Sequence, residues 1–279
     1  MHVRVRVAIV VFCIVFLCVH GQAFARDQCV AIYGDSRTNH NTHRALLSAI
    51  LATNPIAIFH TGDIVTNEYD QRDWKAFRDI ISTRSASIPF YPARGNHERN
   101  SPFYGNSVSI SGDRPFYSVT IGRAHFIVLD SASGMRARSG QYRWLKAELA
   151  QARKNSKFII VIMHHPLVST GKHPQDEMKL GSLLFPLFKA YGVHIVFAGH
   201  DHTYERSLYQ GIYYVTTGGG GAPLYASSRA SPYSQRYMPV HHFCQVCISE
   251  TGISLAVIDD KERVIDALVL PEKKMPQTP

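Results

Sequence analysis

An α/β fold, with a central β-sandwich of mixed sheets flanked by helices, is predicted by three features of the chain. As far as Gly199, short apolar runs alternate with segments that carry apolar residues at helical spacing. Most of these runs end in a small polar turn containing Gly, Asp, Asn or His. After Gly199 the helical segments stop and strand-like runs follow one another directly. Strands with intervening helices, followed by strands without them, imply sheets of mixed direction towards the C-terminal end.

Residues 30–33 form an apolar run ending in Gly34-Asp35, and 42–52 then read as a helix with Ala45, Leu46, Ala49 and Ile50 on one face. Residues 56–59 repeat the theme and end near Gly62-Asp63. The helix that follows, 69–81, has Trp74, Phe77 and Ile81 at helical spacing. Strands at 116–121 and 125–129 flank the turn Gly122-Arg123. Next come a helix at 141–153, a strand at 158–163, a helix at 178–191 and a strand at 193–197. The later strands are 212–216, 240–248, 253–258 and 264–270, with a loop rich in glycine, serine and tyrosine at 218–237.

The beginning of the chain reads as an address. Arg4 and Arg6 precede an unbroken run of 13 apolar residues, 7–19, and Ala23-Phe24-Ala25 has the small-x-small form of a cleavage site. Such a run is shorter than the roughly 20 residues needed to cross a bilayer as a helix. A cleaved leader at 1–25 and a single domain at 26–279 are therefore expected, exported to a periplasm or secreted. No later segment is apolar enough to span a membrane. The net charge is +9, of which the leader's two arginines supply +2. This balance suits anionic ligands, but the charges are scattered, as on a solvated basic surface and unlike a nucleic-acid track. Cys29, Cys244 and Cys247 remain after the leader; Cys244 and Cys247, three apart on a strand, face opposite sides, which argues against their joint ligation as half of a zinc knuckle and against their pairing, while a bond from Cys29 to either of them stays open.

Chemistry-bearing residues gather at the ends of the expected strands: Gly34-Asp35-Ser36-Arg37, Gly62-Asp63, Gly95-Asn96-His97-Glu98, His164-His165-Pro166 and Gly199-His200-Asp201-His202. In α/β sheets, reactive groups collect just beyond the carboxyl ends of strands. Carboxylate, amide oxygen and imidazole together suit zinc, manganese or iron. Gly-Asp or His-His alone is commonplace in turns and cores; five such segments, each ending a strand, point to a metal site.

Taken in order, these segments resemble the signature of the calcineurin-like metallophosphoesterases. The stretch from Gly199 to Arg206, reading GHDHTYER, is similar to that of purple acid phosphatases, as are Gln141-Tyr142-Arg143-Trp144-Leu145 and 218–225. The resemblance covers roughly residues 30–270 and implies a four-layer sandwich with two metal ions, iron, manganese or zinc. It implies Asp63 as the bridging carboxylate; Asn96, His164 and His200 as further ligands of one ion, with His165 the alternative to His164; and Asp35 and His202 as ligands of the other. His97 is implied as the group that contacts substrate and assists the leaving group.

Two positions depart from the pattern. Many members have a histidine where Arg37 stands, and purple members have a tyrosine where Thr66 stands. Asn67, His40, His43 or waters are candidates to fill the gap. Arg37, which cannot ligate a cation, is expected to clamp phosphate. The implied reaction is attack of metal-bound hydroxide on a phosphomonoester of a small molecule, without a phosphoenzyme. A phosphodiesterase on the same centre is the alternative, and a non-catalytic phosphate- or partner-binding module is the rival from another class. No stable nucleic-acid complex is expected. Asp201 is a candidate to orient an imidazole, Tyr225, Tyr233 and Tyr237 are candidates to line the entrance, and His241 and His242 are read as packing residues.

Overall fold

In the computed structural model, which describes residues 27–85, 87–105, 115–173, 176–226 and 229–272, two sheets stack face to face. The expected leader at 1–25 lies outside the described residues. One sheet has six strands in the order β13-β12-β11-β1-β2-β3: β1 (Gln28–Tyr33), β2 (Ala57–His60), β3 (Phe90–Pro92), β11 (His242–Ile248), β12 (Gly252–Asp259) and β13 (Val264–Pro271). The other has seven in the order β10-β8-β9-β7-β6-β5-β4: β4 (Tyr117–Ile121), β5 (Ala124–Val128), β6 (Phe158–Ile162), β7 (Ile195–Ala198), β8 (Tyr204–Tyr209), β9 (Ile212–Thr217) and β10 (Ser234–Met238). Neighbours β1, β2 and β3 run parallel, as do β5, β6, β7 and β9, while the outer strands pair antiparallel. Both sheets are thus mixed.

Strand alternation sorts the core into layers. Val30 and Ile32 of β1, Phe59 of β2, Phe126 of β5, Ile160 of β6 and Phe197 of β7 point between the sheets, where the Phe59 and Phe126 rings stack at 4.5 Å. Their neighbours Ala31, Tyr33 and Ile58 face outward. They meet Leu46, Leu47 and Ile50 of α1 (His40–Ala52) and Ile80 of α2 (Gln71–Ser85). On the other side, Ile127, Ile159, Val161 and Val196 are covered by Leu145, Leu149 and Ala152 of α3 (Gly140–Asn155) and Leu184 and Phe188 of α4 (Gly181–Tyr191). Helix, sheet, sheet and helix make the expected four layers. Burying each such large apolar side chain contributes about 1.5–3 kcal/mol.

Capping sets the helix starts. Asn39 and Ser139 side chains accept the N–H groups of Thr42 and Tyr142. Helix α4 begins at Gly181, later than the expected 178, because the Asp176 carboxylate takes the N–H groups of Leu180 and Gly181. The expected loop 218–237 also needs correction: its end belongs to β10, which pairs with β8, a strand absent from the sequence reading. Strand β8 carries Glu205 and Arg206. The Arg206 Nε donates to Asp266 of β13 at 2.7 Å, tying one sheet to the other. Cys29 and Cys247 lie opposite one another on β1 and β11 and are disulfide-bonded; Cys244 faces the core as a buried thiol.

Candidate metal centre

Strands β1, β2 and β3 of one sheet and β6 and β7 of the other bring the five segments to one end of the sandwich. Asp35 follows β1, Asp63 follows β2, Asn96 and His97 follow β3, His164 and His165 follow β6, and His200 and His202 follow β7. The turns are forced: Asp35, Asp63 and His200 hold φ of 56°, 58° and 69°, a region that costs non-glycine residues energy. Gly62 and Gly95 are needed for close approach. A Cβ at Gly62 would lie 2.7 Å from the Gly95 nitrogen, and one at Gly95 would lie 2.2 Å from Asp63 Oδ1.

The donor atoms fall into two groups, His164 with His165 and His200, and Asp35 with Asp63 and His202; within each, the atoms lie within 4.8 Å of one another. Hydrogen bonding sets the imidazole tautomers. His164 Nδ1 donates to the Thr61 carbonyl at 2.9 Å, so its Nε2 lone pair faces Asn96 Oδ1 at 2.9 Å and Asp63 Oδ1 at 3.3 Å. Three electron-rich atoms converging without a proton among them is an arrangement that fits a cation. His202 Nδ1 donates to the Pro223 carbonyl at 2.7 Å, leaving Nε2 turned to Asp35 Oδ1 at 3.5 Å. His200 Nε2 donates to Glu177 at 2.9 Å, leaving Nδ1 for the centre, and its backbone N–H donates to Asp35.

His165 differs. The Ser131 hydroxyl oxygen accepts the backbone N–H groups of His164 and His165, so its own proton goes to His165 Nδ1 at 2.9 Å. The proton of the neutral His165 ring therefore sits on Nε2, which disfavours it as a ligand beside His164. Burial holds the imidazoles neutral: it pushes His164 well below its ordinary value, His165 down to about 2, and His202 down to about 4. Burial, then the Asp63 carboxylate, pushes the Asp35 carboxyl well up.

His97 is fixed at two points. Its backbone N–H donates to Asp63 Oδ1, and its Nδ1 donates to the Thr66 carbonyl at 2.7 Å, so Nε2 projects over the centre 3.7 Å from Asp63 Oδ2. Arg37 turns inward: Nε donates to Asp63 Oδ2 at 3.1 Å, and Nη2 lies 3.3 Å from His202 Nε2. Of the candidates to fill the gap, His43 is buried elsewhere, bonded to the Tyr33 hydroxyl at 2.8 Å, His40 opens α1 half-buried, and Asn67 is exposed, as is Thr66. Tyr225 stacks on His202 at 4.2 Å, whereas Tyr233 packs on Tyr209 and Tyr237 bonds the Tyr225 carbonyl. His242 is a buried packing residue, bonded to Thr217 and Val240.

Several further residues support the site, and of these Thr61 and Ser131 carry no signal in the sequence. Glu98 is buried and accepts four backbone N–H groups, from Asp63, Ile64, Val65 and Gly95, which clamps the Asp63 turn to the Asn96 turn. Thr61 and Ser131 set the His164 and His165 tautomers. Asp201, a candidate to orient an imidazole, holds His173 by both its backbone N–H and its Nδ1, and His173 in turn stacks on His200 at 3.9 Å.

These features define a candidate metal centre at one end of a four-layer sandwich. The chain belongs to the calcineurin-like phosphoesterase family, whose model matches residues 29–204. It is 31% identical over 185 residues to purple acid phosphatase 21 of Arabidopsis thaliana, covering 57% of this chain and 42% of that protein. It is also 31% identical over 211 residues to human acid phosphatase type 7, covering 66% of this chain and 46% of that protein. The chain spans about half the length of the curated relatives it matches. The purple acid phosphatase PPD1 from yellow lupin shares the fold with a TM-score of 0.76 at 21% identity, covering 88% of this chain and 54% of that one.

Proposed function

We propose that the chain hydrolyses phosphate esters, phosphomonoesters of small molecules foremost, at a metal centre built around Asp63. The observation that carries this reading is the sharing of Asp63: Oδ1 faces the His164 group at 3.3 Å, and the same carboxylate belongs to the Asp35 and His202 group. His164 through Nε2, His200 through Nδ1, Asn96 and Asp63 would hold the ion. It would polarise the phosphoryl group and acidify the attacking water.

The chain's own groups do the rest. His97, held by the Thr66 carbonyl at Nδ1, presents Nε2 to the leaving oxygen and in its imidazolium form delivers a proton there. Arg37 sets a fixed positive charge beside Asp63, where phosphoryl oxygens are drawn. The Cys29–Cys247 disulfide supports export to an oxidising compartment, as does the expected leader at 1–25. No helix among the described residues is long and apolar enough to cross a membrane.

The test is phosphate release from a panel of mono- and diesters by metal-stripped protein reconstituted with Mn²⁺, Zn²⁺ or Fe²⁺. Release only with metal, and faster from monoesters, is expected. Binding of phosphate without release, whatever the metal, would make the chain a binding module.

A further inference from the structure

We propose that the Arg37 guanidinium, not a second metal ion, is the resident cation of the Asp35, Asp63 and His202 group, so that the chain holds one metal ion per molecule. This rests on the metal-dependent reading above and concerns only which cation fills the second position.

The guanidinium occupies the lone pairs that an ion there would need. Its Nε donates to Asp63 Oδ2 at 3.1 Å. Its Nη2 lies 3.3 Å from His202 Nε2, which is a pure acceptor because His202 Nδ1 is already committed to Pro223. Two of the three matched ligands therefore already bond to Arg37, and only Asp35 is left. An ion of the zinc or manganese type takes four or more donors, and one carboxylate falls far short. A guanidinium has no lone pair to offer a cation, so Arg37 cannot join as a ligand, and its positive charge would repel a dication placed beside it.

The side chain is also tethered in place. The backbone N–H of Arg37 donates to the Asp63 carbonyl, the Arg37 carbonyl accepts from Asn39 at the start of α1, and the side chain is only 15% exposed. The His164 group has the opposite character. There Asn96 Oδ1, Asp63 Oδ1 and His164 Nε2 meet with no arginine or lysine bonded to any of them among the described residues. The two oxygens of Asp63 thus serve different cations, Oδ1 an ion and Oδ2 a guanidinium. The bridge of the family pattern is kept, with an arginine at one end.

The experiment is metal content per chain, by native mass spectrometry and elemental analysis, of full-length protein reconstituted with Mn²⁺ or Zn²⁺ and dialysed, with the spin resonance spectrum of the Mn²⁺ form. Wild type should hold one ion and give the six-line signal of isolated Mn²⁺; Asp35→Asn should leave the count at one. Arg37→His, which removes the guanidinium and supplies an imidazole, should raise the count to two and give an exchange-coupled signal, and Asp35→Asn in that background should return it to one. Two ions in wild type, falling to one with Asp35→Asn, would overturn the proposal while leaving metal-dependent hydrolysis intact. No retained ion, with no phosphate release under any metal, would overturn both. The wild-type count decides the matter even where Arg37→His folds poorly.

Discussion

Replacing Glu98 with glutamine keeps the side-chain shape and removes one acceptor. Glu98 Oε1 accepts from Ile64 and Val65 at 2.8 and 3.1 Å, and Oε2 accepts from Asp63 and Gly95 at 3.0 and 2.9 Å. Whichever way the amide is seated, its NH₂ meets two backbone N–H groups, donor against donor, in a fully buried site. Losing two bonds to a charged acceptor costs about 3–6 kcal/mol at roughly 1.5–3 kcal/mol each. A domain of this size shifts its melting temperature by about 2–4 °C per kcal/mol, so a drop on the order of 10 °C is expected. Burial and the neighbouring Asp63 push the Glu98 carboxyl up to about 8 against the pull of the N–H groups, so melting is best followed at pH 9, where the native group is ionised. Calorimetric metal titration should show affinity weakened by about 10–100-fold, since Asp63 and Asn96 lose their common clamp. A variant that melts within 2 °C of wild type and binds metal equally well would show that Glu98 does not clamp the two turns.

Two further outcomes follow from the same geometry. If His97 supplies the leaving-group proton, His97→Ala should slow an alkyl phosphate by roughly 100–10,000-fold and nitrophenyl phosphate far less, because nitrophenolate leaves without a proton; equal losses on metal-replete protein would reduce His97 to an electrostatic contact. Burial holds His242 neutral, with its value lowered to about 4, so the unfolded chain binds a proton first as pH falls below about 6.5. Stability from this residue is present at neutral pH and lost on acidification; between pH 7 and 5, His242→Gln should lose roughly 2 kcal/mol less than wild type in urea unfolding. Parallel losses would show that His242 titrates normally in the fold.

The convergence of Asp35, Asp63, His164, His200 and His202 was legible because each follows an apolar strand that must be buried, and parallel strands present their carboxyl ends together; Asn96 follows β3, a three-residue strand with no apolar run to mark it. Strand β8 was not legible: it begins inside the Gly199 to Arg206 motif and carries Glu205, buried and satisfied by Ser169 and Thr170, and Arg206, satisfied by Asp266 of the other sheet. Those partners are distant in sequence, so local pattern reads the segment as polar. Pairing of Cys29 with Cys247 follows from the β1 to β11 register, which only the folded topology sets. The tautomers of His164 and His165 turned on the Thr61 carbonyl and the Ser131 hydroxyl, and the direction of Arg37 on Asp63 and His202, all tertiary facts. The helix ends moved by a few residues where a side chain such as Asp176 took the first N–H groups.

On the proposed function, Asp63 is the carboxylate around which the metal centre and its turnover of phosphate esters are built. Asp63→Ala, with the circular dichroism spectrum confirming the fold, should be compared with wild type for metal content and phosphate release in one preparation. Loss of both the bound ion and turnover is predicted. Retained metal with wild-type release would show that the centre does not depend on Asp63.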